Sequence, residues 1–212
     1  MQMRKIMQFF LRSILGLILC QAVISCAPPS APPAPITSTA EYDFAAPRVA
    51  WHHLTPEQRT AIESGLKAGQ KPSIAVLHSS GSTSASASAL DDNHRRVRGL
   101  SDGMAYHFVI GNGSGIPDGT LLVGKRWTQG QPAEAMTDAR LAQDAVAICL
   151  IGEFNRDYPT RSQLEALDEL LDFLETKIGP RPVRLHREVE NSARNCPGEN
   201  FPVKALRAGF PQ

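Results

Sequence analysis

The sequence predicts an α/β domain, a mixed central β-sheet flanked by helices. Three observations carry this. Two Thr-x-x-Gln capping boxes, at Thr55 and Thr160, each open a helical pattern. Short apolar runs of strand length lie between and after them. One of these, Ala145–Ile151, is apolar throughout, which marks a strand covered on both faces. Helical and strand patterns alternate along the chain, as they do where helices cover a sheet.

The elements follow in order. Thr55-Pro56-Glu57-Gln58 places an N-cap and a first-turn Pro ahead of a helix over 56–67, ended near Gly69. After Pro72, Ser73–His78 reads as a buried strand ending in a His. Residues 79–89 are Ser, Ala, Gly and Thr and read as a loop. Asp91–Arg98 reads as a charged, exposed helix. Ala105–Ile110 is a second strand, and the Asn112-Gly113 turn makes Thr120–Val123 its hairpin partner. Ala145–Ile151 is the central strand. Leu164, Leu167, Leu170, Leu171, Leu174 and Ile178 form the apolar stripe of the long helix opened by Thr160 and ended by Gly179-Pro180. Val183–His186 is a last short strand, again ending in a His.

The first fifty residues differ from the rest. Arg4, Lys5 and Arg12 precede an apolar run, Ile14–Ile24, and no acidic residue occurs before Glu41. A basic start and a short apolar stretch form a secretory signal pattern. The run falls short of the ~20 residues of a comfortable membrane span, although an uncleaved anchor is the alternative. Its end, Val23-Ile24-Ser25-Cys26, resembles the lipobox of bacterial lipoproteins, which assigns residues 1–25 to a signal peptide and lipidation to Cys26. Residues 28–35 hold five prolines, so 26–50 reads as an extended, solvated tether. Residues 51–212 remain for one domain with a core of its own.

The 212 residues carry 22 basic and 21 acidic side chains. That balance excludes a nucleic-acid binder working through bulk charge, and a hydrophobic fraction of 42% excludes a disordered chain. Three of the basic residues fall within 1–25 and no acidic residue does. The exported chain is therefore slightly acidic, and its grip on a substrate must be local.

Two His end strands, His78 and His186, and Cys196 follows ten residues after the second. Two His and a Cys with one position left open to water is the donor set of a catalytic zinc rather than a closed structural one. On spacing alone each strand His is equally readable as packed or solvated. Cys196 is also readable as a free thiol or, ranked below the metal, as a disulfide partner of Cys149.

The surrounding segments narrow this. Ile74-Ala75-Val76-Leu77-His78-Ser79-Ser80, Ala105-Tyr106-His107-Phe108-Val109-Ile110, Ala147–Phe154, Pro159-Thr160 with Gln163, His186-Arg187-Glu188-Val189 and Asn195-Cys196-Pro197-Gly198 occur in this order. The series resembles the zinc N-acetylmuramoyl-L-alanine amidases, a family that includes peptidoglycan recognition proteins and phage amidase-type lysozymes. The resemblance spans roughly residues 72–202.

It implies a mixed sheet flanked by helices and one zinc ion in a surface groove, held by His78, His186 and Cys196. It also implies that Tyr106 positions water or steadies an oxyanion, and that Arg194 occupies the place of a second polar catalytic residue. The implied reaction is hydrolysis of the amide between N-acetylmuramic acid and L-alanine, in peptidoglycan or muropeptides. The implied setting is the bacterial cell envelope, with a monomeric chain held to a membrane by its N-terminal lipid. A peptidoglycan-binding lipoprotein that does not cut, and a lipoprotein using the fold as a scaffold, are the alternatives. His107 points away from Tyr106 on a strand and reads as structural. His52, His53 and His94 match nothing in the family and read as surface residues. The chain departs from the family in two places. Gly130-Gln131-Pro132-Ala133 lacks the His common there, and the stretch from His186 to Cys196 is longer than in the shortest relatives.

Overall fold

The computed structural model describes residues 42–47, 50–193 and 195–210. Residues 1–41, which include the stretch read as a signal peptide and Cys26, lie outside them, as do positions 48 and 49 of the stretch read as a tether and Arg194. In chain order the elements are α1 (Pro56–Lys67), β1 (Ile74–Ser79), α2 (Ala87–Arg96), β2 (Phe108–Ile110), β3 (Leu121–Val123), α3 (Lys125–Thr128), α4 (Ala139–Asp144), β4 (Ala145–Leu150), α5 (Arg161–Ile178), β5 (Val183–Leu185), α6 (His186–Val189), a 3-10 turn (Asn191–Ala193) and α7 (Val203–Gly209). Among them no helix is long and apolar enough to cross a membrane.

The strands form one sheet in the order β3-β2-β4-β1-β5. β4 sits between β2 and β1, parallel to both, and all six of its side chains are buried. β5 is parallel to β1, whereas β3 pairs antiparallel with β2 at the far edge. The sheet is therefore mixed, as its patterning predicts. The hairpin forms between the expected partners, but its connection runs from 111 to 120 rather than turning on Asn112-Gly113 alone, and it is closed by Gly111 N–H to Thr120 O at 3.0 Å.

Alternation along the strands separates two apolar layers. Leu77, Phe108, Ile110, Ile148, Leu150 and Leu185 face α5. Val76, Val109, Ala147 and Cys149 face the opposite way, toward Leu90 of α2 and Ala142 of α4. His78 shares the parity of Val76 and so belongs to this second face. Both capping boxes form as read. Gln163 also reaches from α5 to the sheet, donating to Ile110 O and Ile151 O at 3.1 and 2.9 Å, so one amide ties the helix start to the ends of β2 and β4. Glu169, buried on α5, accepts the backbone N–H groups of His52, His53 and Leu54 and pins the entry strap there. Gly65 of α1 leaves room for Trp127, since a Cβ there would lie 2.3 Å from the indole nitrogen.

Three sequence expectations change. The second strand begins at Phe108, not Ala105, because the His107 ring replaces a ladder partner: its Nδ1 accepts the Ala147 N–H at 3.2 Å. The second helix begins at Ala87, capped by Ser86 onto Ala89 N, within a stretch whose small residues carry no periodic signal. His94 is buried rather than superficial. With Leu90 it forms the single inward stripe of α2 at i,i+4 spacing, and its Nδ1 accepts the Ala105 N–H at 3.1 Å.

His107 packs against Trp127, and its Nε2 donates to Gln131 O at 2.9 Å, so both ring nitrogens are used in the neutral form. Burial lowers its pKa to about 4, with Arg126 adding to this and the Gln131 carbonyl opposing it. The unfolded chain has the usual His value of about 6.5. Below that pH the unfolded state takes up a proton that the folded state refuses. Stability is therefore complete above pH 6.5 and is lost as the pH falls toward 4, by about 3 kcal/mol for this ring. Urea unfolding of zinc-free protein should show the decline between pH 7 and 5, and the His107 ring proton should not titrate above pH 5. A ring that titrates near 6.5 would show that burial does not hold it neutral.

Candidate metal centre

β1 and β5 lie side by side with Leu77 opposite Leu185, so the next residue of each strand, His78 and His186, emerges at the same level. Their ring centroids are 4.3 Å apart. β5 stops at Leu185, one residue short of the expected strand end, and His186 opens α6. The chain then passes through the 3-10 turn and returns Cys196 to the two rings. Arg187 staples this return: its backbone N–H meets Cys196 O at 3.0 Å, and its guanidinium donates to Gly198 O at 2.9 Å. Gly198 (φ 133°) lets the loop press on the turn after β4, where a Cβ would come 2.4 Å from the Phe154 carbonyl carbon.

One donor atom from each of His78, His186 and Cys196 falls within 4.8 Å of the others. Zinc bonds to such atoms are about 2.0–2.3 Å long, so one ion can be shared. Three details of the chain fit a metal there. His78 is 1% exposed, and its Nε2 is buried with no hydrogen-bond partner among the described residues. Burial, then the neighbouring His186 and Arg98, hold its pKa well below the usual His range, so the ring is neutral, as a ligand must be. The Ser79 N–H points at Cys196 Sγ from 3.4 Å. Burial raises the Cys196 thiol pKa, while Ser79 and Arg187 favour the thiolate that a metal would require.

His186 is held from its other side. Its Nε2 meets Glu190 Oε2 at 2.9 Å. Burial of Glu190 pushes its carboxyl up, but bonds from Asp138, His186 and Thr137 outweigh this and leave its pKa below the ordinary value. Sequence reading gave Glu190 no role. The i,i+4 spacing from His186 is the signal that could have found it.

Tyr106 lies beside the cluster, 5.4 Å from the His78 ring centroid and 5.5 Å from that of His94. The bend at His107 puts Tyr106 and His107 on opposite sides, as expected. Burial, then Cys149 and Cys196, raise the phenol pKa well above 10, so its hydroxyl keeps its proton. Cys149 and Cys196 are both free thiols, so the disulfide reading of this pair does not hold. Glu153 bonds to Asn155 near the loop and is not among the clustered donors, though its charge opposes ionisation of the Cys196 thiol. A groove of about 480 Å³ between α1, α2 and β3 holds none of these residues.

The mixed five-stranded sheet with its helices is the fold of solved peptidoglycan amidases and peptidoglycan recognition proteins. It is similar to the endolysin N-acetylmuramoyl-L-alanine amidase LysCS from Clostridium intestinale URNW, with 26% identity and a TM-score of 0.56 over 76% of this chain and 91% of that one. It is similar in fold to bumblebee PGRP-SA, with 18% identity and a TM-score of 0.52 over 64% and 81%. It is also similar in fold to human PGRP-IBETAC in complex with glycosamyl muramyl pentapeptide, with 16% identity and a TM-score of 0.53 over 67% and 85%. No curated protein matches the sequence. Residues 68–199 match the family described as N-acetylmuramoyl-L-alanine amidase, and this chain belongs to it.

Proposed function

We propose that this protein is a zinc-dependent N-acetylmuramoyl-L-alanine amidase that hydrolyses the amide between the lactyl group of N-acetylmuramic acid and L-alanine in peptidoglycan or its fragments. The observation that carries this is the convergence of His78, His186 and Cys196, with Cys196 present as a free thiol. The family match and the likeness to the amidase LysCS support the same reading. Zinc held by these residues would polarise the scissile carbonyl and supply water of lowered pKa. The chain's own contribution is to fix the donors and to present a hydroxyl where charge develops. Tyr106 donates toward the tetrahedral oxyanion. Arg194, two residues before Cys196, is assigned to the same charge by its sequence position. A guanidinium stays protonated and so moves no proton.

One assay tests the proposal. Purified protein is incubated with peptidoglycan, with chelator and with zinc restored. New L-alanine N-termini that vanish on chelation and return with zinc are expected. Binding of peptidoglycan without release, by protein shown to carry zinc, would instead make it a binding module.

The same reading extends to the N-terminus. We propose that residues 1–25 are removed, that Cys26 carries lipid, and that residues 26–50 tether a monomeric domain to an envelope membrane. The charge asymmetry, the Val23–Cys26 segment and the prolines support this. Mass spectrometry of the membrane fraction should find lipidated Cys26 as the first residue. An unlipidated N-terminus at another position would overturn it.

A further inference from the structure

The carboxylate of Glu190 is used at both ends, and the two ends face different parts of the site. Its Oε1 accepts three bonds from one turn: Thr137 N at 2.6 Å, Thr137 Oγ1 at 3.0 Å and Asp138 N at 2.7 Å. Its Oε2 faces His186 Nε2 at 2.9 Å. Glu190 is 8% exposed, and the turn it grips is the one that leads into α4 through the Asp138 cap. A carboxylate only accepts, so the His186 nitrogen facing it must carry the hydrogen. In a neutral imidazole the other nitrogen then keeps its lone pair.

We infer that Glu190 is a positioning residue for the metal centre, holding His186 as its Nε2–H tautomer so that Nδ1 is the atom offered to the ion. This rests on the amidase reading for the identity of the ion, though not for the tautomer. Outer partners of this kind orient a ligand ring and raise its basicity, and losing one typically costs 10–100-fold in metal affinity. The carboxylate also joins the turn at 137–138 to the segment after β5, and no other hydrogen bond links those two segments among the described residues.

The decisive variant is Glu190→Gln. The three donors on Oε1 dictate how the new amide must lie: its oxygen stays on Thr137 and Asp138, which turns the amide NH2 toward His186. Two donors then meet unless the ring moves its hydrogen to Nδ1, the nitrogen the metal needs. Nitrogen-15 NMR of zinc-free protein at pH 8 reads the tautomer directly. Wild type should show Nε2–H and Glu190→Gln should show Nδ1–H. Zinc affinity, by competition with a chromophoric chelator, should fall about 10–100-fold. Thr137→Val is the control, since it removes a bond to the same carboxylate without facing His186; its tautomer and zinc affinity should stay near wild type.

An Nδ1–H ring in wild type overturns the inference even if the Gln variant fails to fold. So does a Gln variant with wild-type tautomer and affinity, or a Thr137→Val loss as large as that of Glu190→Gln with no change of tautomer. A wild-type chain that takes up no zinc defeats the amidase reading instead, and the tautomer measurement still decides whether Glu190 sets the ring.

Discussion

Cys196→Ala should empty the metal centre and abolish hydrolysis while leaving the domain folded. A catalytic zinc site keeps three protein donors and one open position. Removing the thiolate leaves two imidazoles and no anionic ligand, too few to hold the ion against a mild chelator. Water of lowered pKa and the polarised carbonyl are lost together, and a deficit of about 4 kcal/mol in the barrier is already 10³-fold in rate. The structural penalty is small by comparison. Cys196 is half-buried on a loop, and its sulfur accepts one backbone bond, from Ser79. That bond is worth about 1 kcal/mol, and the Arg187 staple to the same loop is untouched. Zinc content by elemental analysis should drop from one per chain to near none, with a urea midpoint close to that of zinc-free wild type. A variant with undiminished zinc would show that Cys196 is not a ligand.

Tyr106→Phe should do the reverse, keeping zinc and losing rate. The phenol is 8% exposed and its pKa is raised well above 10, first by burial and then by the two thiols, so it is a donor throughout the working pH range. Losing one donor to a developing oxyanion costs about 10²–10³-fold in kcat. KM should change little, because the bond strengthens only as charge forms. The ring still packs against His78 and His94. A kcat equal to wild type would remove Tyr106 from the mechanism.

The elements that the sequence announces most clearly are those whose signals are local. The capping boxes at Thr55 and Thr160 form because a Thr and a Gln three residues apart satisfy each other within one turn. β4 is central because an unbroken apolar run can lie only where both faces are covered. The short helices α3, α4, α6 and α7 were missed because four to seven residues give too few turns for periodicity to show. The start of β2 was misplaced because a side chain, His107, takes the ladder position of a backbone group, which no strand pattern encodes.

The site divides in the same way. His78, Tyr106, His186 and Cys196 were legible through the family's ordered segments, since each lies in a short stretch whose neighbours are visible in the sequence. His94 and Glu190 were not. His94 is buried because α2 turns one stripe of an otherwise polar helix onto the Tyr106 face. Glu190 matters because it bonds at once to His186, four residues away, and to Thr137 and Asp138, more than fifty residues away. The sequence by itself determined the sheet, the long helix and the set of residues able to ligate a metal. Tertiary structure alone decided that one carboxylate, Glu190, meets both His186 Nε2 and the turn at 137–138, because that turn and the end of β5 are far apart along the chain and come together only when the sheet closes.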